Sequence, residues 1–156
     1  LYTGDKGEID SEGYLTITGR IKDEFKTSRG KFVQPNKIER LMQHNPLIEQ
    51  VCVLGSGAPQ PVCVIELSEM GKELAQQDKN AVENSLRETL QEVNKKIEHH
   101  EMLDRLFITA DIWTTENGAL TPTMKIKRNI IEERYTALCN KHSSDTSEVI
   151  WASALL

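Results

Sequence analysis

Ile48-Glu49-Gln50-Val51-Cys52-Val53-Leu54, then Gly55-Ser56-Gly57-Ala58-Pro59, then Pro61-Val62-Cys63-Val64-Ile65-Glu66-Leu67 is the stretch that decides the fold. Two β-prone runs flank a Gly/Ser/Pro turn. The second run is nearly continuous in apolar residues, which predicts a strand buried on both faces. Downstream, Val82, Leu86, Leu90, Val93 and Ile97 form one helical stripe within a long helix expected over Asn80 to His99. Upstream, Pro35 opens a helix with Ile38, Leu41 and Met42 on one face, and Asn45-Pro46 stops it.

Working outward to the ends, Glu8 to Thr18 reads as a hairpin around Ser11-Glu12-Gly13. Glu24 to Val33 reads as a second hairpin around Arg29-Gly30. Leu106-Phe107-Ile108 is a short strand and Glu116-Asn117-Gly118 a turn. Lys127 to Asn140 is a last helix, with Ile130, Ile131, Tyr135 and Leu138 inward. From His142 the polar Ser-Ser-Asp-Thr-Ser run reads as a mobile tail. The order β-β-β-α-β-β-α-β-α gives an α+β fold: a small central sheet with helices packed against it.

The 156 residues suffice for one domain with a sizeable core. Hydrophobic residues at 38%, charged residues at 28% and a mean hydropathy of -0.47 suit an ordinary soluble domain. A net charge of -5 and a pI near 5.4 argue against a nucleic-acid partner. No apolar run approaches the roughly 18 residues of a membrane-spanning helix. The three cysteines, Cys52, Cys63 and Cys139, lack C-x-x-C spacing. That favours a reducing, cytoplasmic setting over disulfides or a zinc knuckle, and no metal site is read. The chain begins at Leu1 rather than Met, and we expect a piece of something longer.

Three segments carry chemistry. Tyr2-Thr3-Gly4-Asp5-Lys6-Gly7 reads as an Asp turn, or as a carboxylate placed to accept from the vicinal hydroxyls of a ribose. Gly19-Arg20-Ile21-Lys22-Asp23, followed by Lys26 and Arg29-Gly30-Lys31, is a solvated charged hairpin or a basic loop that meets phosphate. Asn117-Gly118-Ala119-Leu120-Thr121-Pro122-Thr123-Met124-Lys125-Ile126-Lys127-Arg128 sets cations at a helix start. The helix dipole disfavours them there, which points to a functional demand.

Taken in order, Leu-Tyr-Thr-Gly-Asp, Gly-Tyr-Leu-x-Ile-x-Gly-Arg-x-Lys-Asp, Gly-Lys-x-Val-x-Pro-x-x-Ile-Glu and Leu-Thr-Pro-Thr-Met-Lys-Ile-Lys-Arg resemble the closing motifs of the acyl-adenylate-forming enzymes. These include acyl-CoA synthetases, luciferases and peptide-synthetase adenylation domains. The third segment looks most like long-chain fatty acyl-CoA synthetases. The resemblance runs from residue 1 to about 140. It implies that 1–20 is a β-hairpin remnant of a large N-terminal domain, 21–141 a C-terminal lid and 142–156 a flexible tail.

By the same resemblance, Asp5 and Arg20 would be nucleotide-binding and Lys22 the hinge. Lys125 would be catalytic, bridging carboxylate and α-phosphate. Lys26, Arg29, Gly30 and Lys31 would form a CoA-side loop. ATP, Mg²⁺, CoA and a fatty acid would serve the full-length enzyme, with its own N-terminal domain as partner and peripheral membrane contact through the full-length protein left open. The fragment itself is expected to fold and not to catalyse. Two departures stand out: Met124 where many relatives have Gly, and Arg29-Gly30 where many have Gly-Gly. His44, His99, His100 and His142 match no motif and read as surface or capping residues. A carrier-protein-loading acyl-AMP ligase, and a non-enzymatic α+β interaction module docking through its apolar end, are the alternatives.

Overall fold

The computed structural model of the protein describes residues 5–20 and 23–152, and the side chains of all of these except 5, 6 and 16–20. Two short hairpins come first. Strands β1 (Asp5–Ile9) and β2 (Leu15–Arg20) pair antiparallel. The Asp10 carboxylate closes their turn by accepting from the amides of Glu12 and Tyr14, and Gly13 takes φ +88°. A side chain that imitates a backbone turn and a residue without Cβ are what such a reversal requires. Strands β3 (Phe25–Lys26) and β4 (Phe32–Val33) form the second hairpin. Both fall where the sequence places them.

The central sheet has the order β5 (Ile48–Leu54), β6 (Val62–Leu67), β7 (Leu106–Thr109), β8 (Val149–Trp151). The first pair is antiparallel and the other two are parallel. Parallel neighbours cannot be joined by a tight turn. Helices α2 (Glu69–Gln77) and α3 (Lys79–Lys95) carry the chain from β6 to β7, and α4 (Arg128–Lys141) carries it from β7 to β8. Helix α1 (Pro35–Met42) precedes β5.

Strand periodicity splits the core in two. Val51, Val53, Cys63, Ile65, Leu106 and Ile108 pack against Ile38 and Met42 of α1 and the Val82-Leu86-Leu90-Val93 stripe of α3. Cys52, Leu54, Val64 and Phe107 face the other way, onto Ile131 and Tyr135 of α4 and onto Trp113 and Leu120. β6 is therefore buried on both faces, as its continuous apolar run predicts.

Two expectations change. The helix expected over Asn80 to His99 ends at Lys95, and α2 precedes it unannounced. α2 fully buries only Gly71 and packs Leu74 and Ala75 part-buried beside it, so its apolar stripe is short and weak. A Cβ on Gly71 would stand 2.6 Å from the Leu47 carbonyl oxygen, which is how closely this helix approaches the chain before β5. Its two boundaries are capped by side chains: Ser68 accepts from the Gly71 amide, and Asp78 from the Ala81 amide that starts α3.

The second change is a correction: 142–156 is not a flexible tail over its described part. Val149, Ile150 and Trp151 lie opposite Leu106, Phe107 and Ile108 as β8. Trp151 donates through Nε1 to Glu83 at 2.6 Å, and Lys79 Nζ sits 4.9 Å over its ring. The polar link before β8 is held too, since Arg105 donates to the carbonyls of His142 and Ser143. A three-residue strand behind a Ser/Asp/Thr run is too short to stand out from composition. Val149 to Trp151 is thus committed to the sheet rather than offered to a partner.

One ion pair joins both sides of the sheet. Arg128, the first residue of α4, donates through Nη1 to Glu39 of α1 and, at 3.0 Å, to the Val53 carbonyl of β5. Its Nη2 donates to Asn36 Oδ1 at 3.2 Å. Glu39 also accepts from the Val53 amide. Burial raises the Glu39 carboxyl above its ordinary value against the pull of Arg128. Burial alone would lower the Arg128 guanidinium, but Glu39 reverses this and holds it above its ordinary value. Burial wins at the acid and the partner wins at the base.

Arg128→Met should destabilise the chain by about 3–5 kcal/mol, because it strands a buried carboxylate. Adding Glu39→Met should recover most of that loss, as read by urea unfolding. Val149→Ala should cost about 1–2 kcal/mol in the same assay, from the methyl groups lost; a mobile tail would give no change.

Candidate functional site

Lys125 stands on a tight turn between β7 and α4. The Thr121 hydroxyl accepts from the Lys125 amide at 3.0 Å, and the Thr121 amide donates to the Lys125 carbonyl at 2.7 Å. The Met124 amide donates to the Thr121 carbonyl at 2.8 Å. Below the turn, Leu120 pairs with Ile126, and the Lys127 amide donates to Ala119. Ala119 and Leu120 are buried in the core. The backbone around Lys125 is therefore fixed at both ends. Its side chain is exposed, and its ammonium makes no hydrogen bond or ion pair among the described residues. Arg128, three residues on, is engaged through both Nη1 and Nη2, so the cations at this helix start divide into one structural arginine and two exposed lysines, Lys125 and Lys127.

The departure at Met124 has a backbone meaning. Met124 takes φ +65°, in the left-handed region where an L side chain costs roughly 1–2 kcal/mol. A glycine, as in many members of the resembled superfamily, would sit there without strain. The departure at Arg29 is milder. Gly30, at φ +79°, occupies the one left-handed position of its turn, and Arg29 needs no special conformation.

Lys26, Arg29, Gly30 and Lys31 share the exposed tip of the β3–β4 hairpin. Inside the turn, buried Thr27 bonds Lys31 through its amide (2.9 Å) and its hydroxyl (3.3 Å). The hairpin is pinned to the β5–β6 turn, where the Gly57 amide donates to Lys26 and the Ser28 amide to Ala58. Lys26 Nζ lies 5.6 Å from the centroid of the Phe32 ring, which is itself 59% exposed. The structure thus gathers these four sequence-predicted residues on one turn. No described hydrogen bond or ion pair joins that turn to Lys125.

A cleft of about 500 Å³ lies between Asp23–Phe25, the end of β5 and the lysine loop, with Thr121, Ile126 and Arg128 on its wall. Asp23 accepts from Asn36 at 3.2 Å, and Asn36 accepts from Arg128. The segment just after the expected hinge is thereby tied to the base of the lysine loop. Lys22 itself lies outside the described residues. Asp5 and Arg20 face each other across β1 and β2, and their side chains lie outside the description. Sequence reasoning missed Glu39 and Asn36; the available signal was a cation at a helix N-terminus, which demands an anion nearby.

Three of the four histidines hold backbone or a neighbouring carboxylate. His44 Nδ1 meets the Leu41 carbonyl, His100 Nε2 the Phe32 carbonyl, and His142 Nδ1 the Asp145 carboxylate. Among the described residues, the donor atoms of Glu98, His100 and Glu101 converge within 4.8 Å of one another. Those carboxylates are already engaged: Glu98 and Glu101 form a reciprocal cap, and Lys37 Nζ lies 3.6 Å from Glu101. No helix here is long and apolar enough to cross a membrane, among the described residues.

Burial disfavours the thiolate form of all three cysteines. Burial pushes Cys52 and Cys63 far up, and burial pushes Cys139 up to about 11. At pH 8 only about one Cys139 in a thousand is then a thiolate. The folded chain should leave all three thiols essentially unmodified by a disulfide reagent while free cysteine is consumed, and urea should release all three; absorbance of the released thiol counts them.

Residues 22–146 match the model of the AMP-binding enzyme C-terminal domain. The long-chain-fatty-acid–CoA ligase FadD15 of Mycobacterium tuberculosis is 30% identical over 149 residues, covering 86% of this chain and 25% of that protein. The long-chain-fatty-acid–CoA ligase 5 of Rattus norvegicus is 32% identical over 145 residues, covering 82% of this chain and 21% of that protein. The chain therefore spans about a quarter of the length of the curated relatives it matches. Among solved structures, the A-PCP didomain of the carboxylic acid reductase from Segniliparus rugosus, in complex with AMP, superposes with a TM-score of 0.73 at 28% identity, covering 91% of this chain and 20% of that one. The Mycobacterium tuberculosis fatty acyl CoA synthetase shares the fold at a TM-score of 0.57 and 24% identity, covering 87% and 24%. This chain belongs to the AMP-binding enzyme C-terminal domain family.

Proposed function

We propose that the chain is the C-terminal lid of an ATP-dependent long-chain fatty acid–CoA ligase, an acid–thiol ligase that acts in the cytoplasm. One observation carries the reading: Lys125 is an exposed ammonium without a described partner, on a turn whose backbone is fixed at both ends. The relatives named as long-chain-fatty-acid–CoA ligases supply the substrate class.

In the first half-reaction a fatty carboxylate oxygen attacks the α-phosphorus of ATP, and pyrophosphate leaves. The Lys125 ammonium stabilises the charge that grows on the carboxylate and α-phosphate oxygens. A bound Mg²⁺ would neutralise part of the triphosphate charge; the Glu98-His100-Glu101 group, tied to Lys37 and to its own cap, does not fit that role. In the second half-reaction the CoA thiol displaces AMP from the acyl carbonyl. Lys22 turns the lid between the two. Asp5 and Arg20 hold the nucleotide, and the Lys26 to Lys31 turn faces the CoA path. The larger N-terminal domain, with its acyl pocket, is the partner without which the fragment does not catalyse.

A second reading has its own support. The carboxylic acid reductase didomain superposes more closely than the fatty acyl CoA synthetase, with TM-scores of 0.73 and 0.57. A lid that delivers the acyl group to a carrier protein remains the alternative acceptor chemistry.

In the full-length enzyme, Lys125→Ala should lower adenylation, read as fatty-acid-dependent pyrophosphate exchange, by about 10²–10³-fold. Thioester formation from supplied acyl-AMP should change little. Equal loss of both half-reactions would sink the assignment of Lys125, and turnover with a holo carrier protein but not with CoA would select the second reading.

A further inference from the structure

Residues 110–127 carry no helix and no strand beyond the bridge at Leu120 and Ile126. A loop of that length inside a compact domain must be held by its own side chains. Lys125 lies near its far end, and its long side chain can act at one place only if its backbone is placed first.

The side chain that places it is Asn117. Asn117 Oδ1 accepts from the amides of Thr114 and Ala119, both at 3.1 Å. Its Nδ2 donates to the Ile112 carbonyl at 2.7 Å. Its own amide donates to the Thr114 hydroxyl, and its carbonyl accepts from Arg134 of α4. Two amides on one side and a carbonyl on the other fix the orientation of the amide group. The Asn117 bond to Ala119 is the important one. Ala119 is the residue whose carbonyl receives the Lys127 amide, and Leu120 beside it pairs with Ile126. Asn117 therefore holds the descending limb of the lysine turn, and that limb holds the ascending one.

We infer that Asn117 is a positioning residue for adenylation: it sets where Lys125 stands, without touching the reacting groups. The inference rests on the proposed function. It predicts a signature that a merely structural residue lacks. A displacement on the order of 1 Å of a catalytic group weakens the transition state and leaves ground-state binding alone.

The test uses full-length enzyme carrying Asn117→Ala, Asn117→Asp, Lys125→Ala and the Asn117→Ala/Lys125→Ala pair. Asn117→Ala should lower kcat for adenylation about tenfold or more, keep KM for ATP and fatty acid within about twofold, and leave thioester formation from supplied acyl-AMP unchanged. Asn117→Asp keeps both acceptor bonds and loses the donor, so it should recover part of the rate. The double variant should be no slower than Lys125→Ala, because both act through the same ammonium. Wild-type adenylation in Asn117→Ala, parallel loss of both half-reactions, or a double variant slower than Lys125→Ala by the full Asn117→Ala factor would each overturn the inference. If Asn117→Ala does not accumulate as folded protein, Asn117→Asp and Asn117→Ser carry the same comparison. Failure of the functional reading looks different: Lys125→Ala itself would then adenylate normally.

Discussion

The buried pair of Glu39 and Arg128 is the constraint on which the arrangement depends. It joins α1, β5 and the start of α4 at one point. Helices α1 and α4 cover opposite faces of the sheet, so apolar packing alone would hold each to the sheet and neither to the other. A charge pair at the sheet end fixes what packing leaves free. The guanidinium adds direction, because Nη1 reaches both α1 and β5 while Nη2 takes a second hold on α1 at Asn36. Such a pair is an uncertain source of net stability, since desolvation opposes the attraction. Its contribution is geometric: the lysine turn begins from a point whose position relative to α1 is set.

Much of this was legible in the sequence, for identifiable reasons. β5 and β6 announce themselves because a strand covered on both faces has no polar side to dilute its apolar run. α3 does so because it covers one face and leaves a stripe. The two hairpins show through Gly13 and Gly30, whose positive φ leaves few other residues at those points. α2 escaped because its closest contact is through a glycine, leaving only part-buried Leu74 and Ala75 to mark its inner face. β8 escaped because three residues on a sheet edge cannot outweigh the polar link before them.

The site was legible as residue types and not as geometry. Lys125, Lys26, Arg29 and Lys31 stand out as cations on loops. Which cation is free and which is structural depends on Glu39, which is distant in sequence and looks like an ordinary exposed residue of an amphipathic helix. The partners of Arg128 and the bonds of Asn117 are tertiary or loop-specific, and no spacing rule encodes them. The meaning of Met124 likewise became clear only with its dihedral angle.

The β5–β6 turn has a bearing on how such a domain can change over time. Its Gly57 amide and Ala58 carbonyl hold the basic hairpin, and Ser56 borders the cleft shared with Thr121. At Gly55 a Cβ would come within 2.9 Å of Pro61 Cα. One small backbone unit therefore serves as common footing for both working surfaces. Exchanges at Arg29 or Lys31 alter one surface and leave the other as it was. An exchange within the footing moves both at once. Variation that retunes the charge of the basic hairpin is thus channelled to its exposed tip, and the turn beneath it is left little freedom to drift.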